Sequence, residues 1–273
     1  MLLVRIIKLL FTSFFLLSLF TSSCLSKELI PHTLREVGVS ENIGKQVSLD
    51  LVFYDENDNL VPLSDFFNKD KSIILNLAYY SCPMLCHLVA NGLHDSLKQL
   101  PFNIGTKYDV ISLSIDPKDT LENALSFEDK YAAGLAGDNP KSFWHFLRGT
   151  DSTISELTDM VGFNYRYNKD TKQFAHSAVI IFLDENGTIK RYLYGIEYKP
   201  LDVRLGILET MNNNLISGVE RVLLFCYNYD PQDKKYVIYA YSLMRIAGVL
   251  TCIFLVTMII YLLKKEEKGE EIK

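Results

Sequence analysis

This chain lacks the features that would mark it as a partner of nucleic acid. Its 28 Lys and Arg against 33 Asp and Glu give a formal net charge of -5. No basic stripe runs along any segment, which argues against a phosphate-backbone ligand. Five cysteines are too few for a disulfide scaffold. No internal repeat suggests a solenoid, and the only biased stretch is the charged run Lys264-Lys265-Glu266-Glu267-Lys268. What remains is one sizeable domain with unusual ends.

At the amino end, Arg5 and Lys8 precede the apolar run Leu9 to Phe20 and the small polar residues Thr21-Ser22-Ser23-Cys24. Residues 1–24 therefore read as a secretory signal. Cys24 matches the acceptor of a bacterial lipoprotein signal except that Thr21, three positions upstream, fits it poorly. At the other end, Ile246 to Leu263 carries no charge and continues an apolar run through Tyr239, Tyr241 and Met244, with Arg245 able to snorkel. This predicts a transmembrane helix over 238–263, a juxtamembrane linker over 218–237 and a cytoplasmic tail over 264–273. Lysines on both flanks orient the span poorly, so the leader decides. Residues 28–217 form the exported domain, anchored at the extracytoplasmic (periplasmic) face of the cytoplasmic membrane. Thiols outside the cytoplasm oxidise unless they are kept reduced or metallated.

Within that domain, Val47 to Phe53 alternates like a half-buried strand, Asp55 to Asn59 is a turn cluster, and Leu60 to Leu63 returns. Ser72 to Tyr80 is a continuous apolar strand of the kind covered on both faces. A helix over Pro83 to Leu100 follows, with Leu85, Leu88, Val89, Leu93 and Leu97 inward. Tyr108 to Ile115 is a strand, Thr120 to Ala133 a helix and Ser142 to Leu147 a strand. Ser152 to Met160 is a helix capped by Asp151. Strands over Phe163 to Tyr167 and His176 to Leu183 come next. Asn186-Gly187 turns the chain into Thr188 to Tyr194, and Leu201 to Ile216 is the last helix. The alternation implies an α/β domain with a central mixed, mostly parallel sheet flanked by helices.

Cys82 and Cys86 lie in Leu77-Ala78-Tyr79-Tyr80-Ser81-Cys82-Pro83-Met84-Leu85-Cys86, where the apolar strand meets the helix. Pro83 suits the first helical position, which puts Cys82 near the N-cap and Cys86 one turn in, within roughly 6 Å of each other. A helix N-terminus also favours the thiolate. Such a pair closes a disulfide or holds a soft metal ion. Thiols at this junction narrow the fold to a thioredoxin-like one.

The chain resembles the Sco (SenC) family, thioredoxin-fold copper-binding proteins of cytochrome c oxidase assembly. The matching pieces are Cys82-Pro83-Met84-Leu85-Cys86, Ser112-Leu113-Ser114-Ile115-Asp116-Pro117, Trp144 to Gly149, Ala175-His176-Ser177 and Asp184-Glu185-Asn186-Gly187, in order between Leu49 and Ile216. Arg191 to Tyr198 and Cys226-Tyr227-Asn228-Tyr229-Asp230-Pro231 look like a bacterial subgroup with a C-terminal span. The family commonly has Asp at the position of Met84 and Pro at that of His87. The resemblance implies copper held by Cys82, Cys86 and His176, and a partner in the copper-accepting subunit of a haem-copper oxidase. The chemistry agrees: thiolates select Cu(I), and an imidazole admits Cu(II).

Two other readings stay open. A thiol-disulfide oxidoreductase would use Cys82 and Cys86 as its redox pair, although thioredoxin-like enzymes use Cys-x-x-Cys. A peroxiredoxin would have Thr three residues before its cysteine, where this chain has Tyr79. Cys82, Cys86 and His87 also spell a stretched haem-attachment pattern, but His87 lies more than about 90° round the helix, expected with His94 on a solvated face. His145 beside Trp144 reads as structural, and Asp116 as capping the Pro117 turn or tuning the thiols. Cys226 is expected as a buried inert thiol or an extra copper or disulfide partner, and Cys252 as a residue of the span.

Overall fold

A computed structural model of the protein describes residues 37–67, 70–102, 105–135, 142–211, 220, 227–230, 235–238, 248 and 250–258. The expected leader 1–24 with Cys24, the tail 264–273 and Cys226 lie outside the described residues.

Ser72–Ala78 (β1), Tyr108–Ser114 (β2), Trp144–Leu147 (β3), Val179–Leu183 (β4) and Ile189–Tyr194 (β5) form one sheet in the order β5-β4-β1-β2-β3. β1, β2 and β3 run parallel, whereas β4 is antiparallel to both β1 and β5. The sheet is thus mixed, with as many antiparallel as parallel pairings. Leu85–Leu97 (α1), Leu121–Tyr131 (α2), Asp151–Met160 (α3) and Pro200–Thr210 (α4) cover it.

Every residue of β1 is buried, because alternate side chains enter two different cores. Ile74 packs with Val110, Phe127, Phe146 and Val203 of β2, α2, β3 and α4. Ile73, Leu75 and Leu77 pack with Ile111, Ile154, Leu157 and Phe53 on the other face, under α3. Each such aliphatic side chain contributes roughly 1.5–3 kcal/mol of burial. A mostly apolar run, with polar Ser72 and Asn76 but no regular alternation, is the sequence trace of that double cover.

Several boundaries differ from expectation. α1 starts at Leu85 rather than Pro83, because its N-cap residue Met84 is non-helical, with φ -149° and ψ -71°. Its buried face is Cys86, Val89, Ala90, Leu93 and Leu97, while Leu88 is exposed. α3 is capped by Thr150, which closes a capping box with Thr153, so Asp151 is the first helical residue rather than the cap. There its charge favours the helix dipole instead. The strand expected over Val47 to Phe53 pairs only at Val52–Tyr54, with Leu60–Pro62. Phe163 to Tyr167 splits: Phe163–Asn164 joins Gly38–Val39, and Arg166–Asn168 forms a hairpin with Gln173–Ala175. The Asn186-Gly187 turn joins β4 to β5, with Gly187 at φ 78°.

Tyr227–Asp230 and Lys235–Ile238 pair antiparallel, within the expected linker except for Ile238, the first residue of the expected span. Of the expected span 238–263, residues 250–258 are helical and exposed. No helix among the described residues is long and apolar enough to cross a membrane.

Candidate metal centre

The sheet register brings the site together. Antiparallel pairing sets Ile180 of β4 opposite Asn76 of β1. Continued past the strand ends, that register carries His176 to the level of Tyr80, beside the turn that holds the cysteines. The turn is closed by the Cys82 N–H on the Tyr79 carbonyl at 3.2 Å. The strand expected to start at His176 starts later, at Val179, although the Ala178 carbonyl still accepts the Gly195 N–H at 3.0 Å.

His176 Nε2 lies 3.3 Å from Cys86 Sγ, across 90 residues of chain. The Cys86 N–H donates to Cys82 Sγ at 3.4 Å, and the Tyr79 N–H donates to Cys86 Sγ at 3.5 Å. His176 Nδ1 is 3.0 Å from the Ser177 carbonyl. A carbonyl only accepts, so Nδ1 carries the proton and the Nε2 lone pair faces Cys86. The ring stands edge-on to Tyr79 and tilts against Phe163, with centroids 6.1 and 5.7 Å away.

The two thiols ionise differently. Cys82 is lowered to about 5, first by the hydrogen bond from the Cys86 thiol, then by the Cys86 N–H, the Tyr79 hydroxyl and the Met84 N–H, all against burial. Cys86 is pushed up strongly, by donating to Cys82 and by burial. Burial lowers His176 and keeps it neutral. At neutral pH the centre is a thiolate, a thiol and a neutral imidazole. The helix end is not the main cause of the Cys82 shift, since Cys82 lies two residues before the N-cap.

These side chains form a chain of contacts with Cys86 in the middle. Among the described residues, no three His, Cys, Asp or Glu already converge as a metal cluster. Sulfur donors with one imidazole suit soft Cu(I), and the imidazole also admits Cu(II). Cys82 and Cys86 are free thiols, so the same atoms also suit disulfide exchange.

The other candidates fall elsewhere. Asp116 Oδ1 accepts the Lys118 N–H at 2.9 Å, which caps the Pro117 turn. His87 is not solvated as expected. α2 packs on α1, so the ring stacks on Phe127 and Nδ1 lies 2.7 Å from the Tyr131 hydroxyl. His94, also half-buried, bonds the Ala133 carbonyl through Nε2 at 3.3 Å. His145 lies 3.5 Å from Glu56 and against Phe66, a structural position. Cys252 is an exposed free thiol.

Sequence reasoning missed Asp119. Its buried carboxylate accepts the N–H groups of Tyr80 and Ser81 at 2.5 and 3.2 Å and the Ser114 hydroxyl at 2.6 Å. It thereby fixes the backbone just before Cys82. The only signal was its place three residues after the strand-ending Asp116. Tyr79 and Phe174, which pack together beside His176, were also missed because isolated aromatics read as core.

The model of the SCO1/SenC family matches residues 41–204. Among solved structures, a protein from Aquifex aeolicus VF5 named for electron transfer is 27% identical, with a TM-score of 0.53, covering 61% of this chain and 92% of its own. A SCO1/SenC family lipoprotein from Bacillus anthracis str. Ames is 17% identical, with a TM-score of 0.50, covering 63% of this chain and 99% of its own. No curated protein matches the chain.

Proposed function

Because the chain belongs to the SCO1/SenC family, we propose that it is an extracytoplasmic copper carrier for assembly of the binuclear copper centre of cytochrome c oxidase. Copper is its cargo, held by Cys82, Cys86 and His176 and passed to the copper-accepting oxidase subunit by ligand exchange. The observation that carries this reading is the His176 imidazole, 3.3 Å from Cys86 Sγ with Nδ1 tied to a carbonyl. Tying one nitrogen to orient the other is what metal-ligating histidines do. The thiolates supply the soft donors for Cu(I), and the imidazole supplies the nitrogen that Cu(II) requires. Anchoring through 238–263 belongs to the same proposal. It is supported by the exposed apolar residues Leu250, Ile253, Phe254, Leu255 and Val256, a surface that needs cover.

A second reading is thiol-disulfide exchange that keeps the recipient's cysteines reduced. The ionised Cys82 beside the protonated Cys86 favours it, with Cys82 as the attacking thiolate. The test is the full-length chain, purified reduced in detergent, titrated with Cu(I) and Cu(II) and assayed for insulin reduction. The carrier reading expects one copper per chain in each state and negligible turnover. His176→Ala should retain much of the Cu(I) binding while losing the thiolate-to-Cu(II) absorption, and Cys82→Ser or Cys86→Ser should damage both. Weak copper binding with rapid insulin reduction would transfer the assignment to the oxidoreductase.

A further inference from the structure

His176 belongs to neither element beside it: the hairpin strand Gln173–Ala175 ends before it, and β4 begins after it at Val179. Its Nδ1 bond goes to the carbonyl of the next residue, Ser177. That bond sets the tautomer but moves with the same backbone, so it does not fix the ring relative to the cysteines. Two rings from elsewhere in the fold meet the imidazole, Tyr79 at 6.1 Å and 80° and Phe163 at 5.7 Å and 42°. Tyr79 differs from Phe163 in what else it holds. Its N–H donates to Cys86 Sγ, and its carbonyl accepts the Cys82 N–H. Tyr79 is 4% exposed, and its ring is backed by that of Phe174, 5.3 Å away and edge-on at 62°. The backbone of Tyr79 therefore touches both cysteines while its side chain touches the imidazole.

Resting on the copper reading, we infer that Tyr79 is a positioning residue of the centre, whose ring holds the His176 imidazole against Cys86 and so governs the Cu(II) state. A ligand keeps its geometry through the groups packed behind it, and losing one typically costs about 10–100-fold in metal affinity. Two thiolates suffice for Cu(I), whereas Cu(II) requires the nitrogen. A loosened imidazole weakens Cu(II) and leaves Cu(I) in place, which raises the potential of the bound copper. Cys82 and Cys86 bind in both oxidation states. Whatever Tyr79 does to the thiols therefore moves both affinities together and cancels in the potential, and the hold on His176 does not.

The test uses the full-length chain, purified reduced in detergent, with and without one copper. Tyr79→Leu removes the ring but keeps an apolar side chain and both backbone contacts to the cysteines. It should leave Cu(I) affinity largely unchanged and weaken Cu(II) roughly tenfold, the low end for contacts behind a metal ligand. Tenfold is about 59 mV for one electron, so the Cu(II)/Cu(I) potential should rise by that amount. Tyr79→Phe keeps the ring and should restore the wild-type potential. Without copper, diethyl pyrocarbonate should modify His176 faster in Tyr79→Leu than in the wild type, with His145 unchanged. Phe174→Leu, at a half-buried position behind Tyr79, should shift the potential in the same direction by less. Equal potentials and equal His176 modification in the wild type and Tyr79→Leu would overturn the inference. So would a Tyr79→Phe variant that behaves like Tyr79→Leu, since the hydroxyl rather than the ring would then be responsible. If Tyr79→Leu does not fold, an unshifted potential in Phe174→Leu overturns the inference instead. A wild type that holds no copper would overturn the copper reading, and the inference with it.

Discussion

Cys82 and Cys86 carry one proton between them because a single S–H···S hydrogen bond lowers one thiol and raises the other. That asymmetry sets how many protons copper must displace. Around pH 7, Cys82 is already ionised and His176 neutral, so only the Cys86 proton has to leave. Calorimetry in buffers of different ionisation enthalpy should find about one proton released per copper at pH 7, and more as pH falls through about 5 and Cys82 takes up its proton. The stability linkage has opposite signs at the two thiols. Cys82 is depressed from its ordinary 9.0 to about 5, so its contribution is full above about 9 and is lost as pH falls through 5. Cys86 is raised, so its contribution is full below its unfolded value and is lost only at higher pH. Asp119 acts by geometry. Removing its carboxylate strands the buried Tyr80 amide and Ser114 hydroxyl, each at about 1–3 kcal/mol, and frees the part-buried Ser81 amide. Asp119→Ala should lower urea stability by about 2–4 kcal/mol, with Asp119→Asn in between because it keeps one acceptor. An unchanged urea midpoint in Asp119→Ala would refute that role.

At the scale of elements, α1 must approach the segment after β5 closely, and Gly92 is what permits it. A Cβ on Gly92 would lie 2.1 Å from the Ile196 carbonyl oxygen. In an ordinary helix Gly→Ala gains about 1 kcal/mol. Here the sign should reverse, with Gly92→Ala losing about 1–3 kcal/mol through overpacking, read as a lower urea midpoint at unchanged slope. Elements whose cause is local were legible in the sequence. β1 announced itself by a run that is apolar but for Ser72 and Asn76, and the β4–β5 turn by Asn186-Gly187. The capping boxes of Thr120 with Asn123 at α2 and of Thr150 with Thr153 at α3 sit where polar residues precede periodic apolar ones, although Thr150 and not Asp151 makes the cap at α3. Elements set by distant partners were misread. β4 starts three residues later than expected, at Val179, with His176 outside it beside Cys86, and α1 starts late because the Met84 backbone is non-helical. Of the candidate metal centre, Cys82 and Cys86 were legible from their place where an apolar strand meets a helix, whereas His176 was readable only through the family resemblance, since a lone histidine near a strand carries no signal of what lies opposite. Asp119 had no such resemblance to expose it.

For the whole molecule, ligand binding should appear as stability. Free Cu(I) at a hundred times its Kd adds about 2.7 kcal/mol. At about 2–4 °C per kcal/mol for a domain of this size, copper should raise Tm by roughly 5–10 °C in the wild type and by little in Cys86→Ser. Topology is tested on spheroplasts: added protease should digest residues 28–217 and spare the tail 264–273, and the reverse pattern would invert the orientation. The register that joins β4 to β1 also imposes an order in time. A chain made at ~5–20 residues per second presents its thiols 90 residues before its imidazole, an interval of roughly 5–20 s. During that interval no pairing of β4 with β1 exists to bury the cysteines. The newborn protein is therefore a bare dithiol before it becomes a mixed sulfur and nitrogen site, and any oxidant or metal that arrives first meets the simpler ligand.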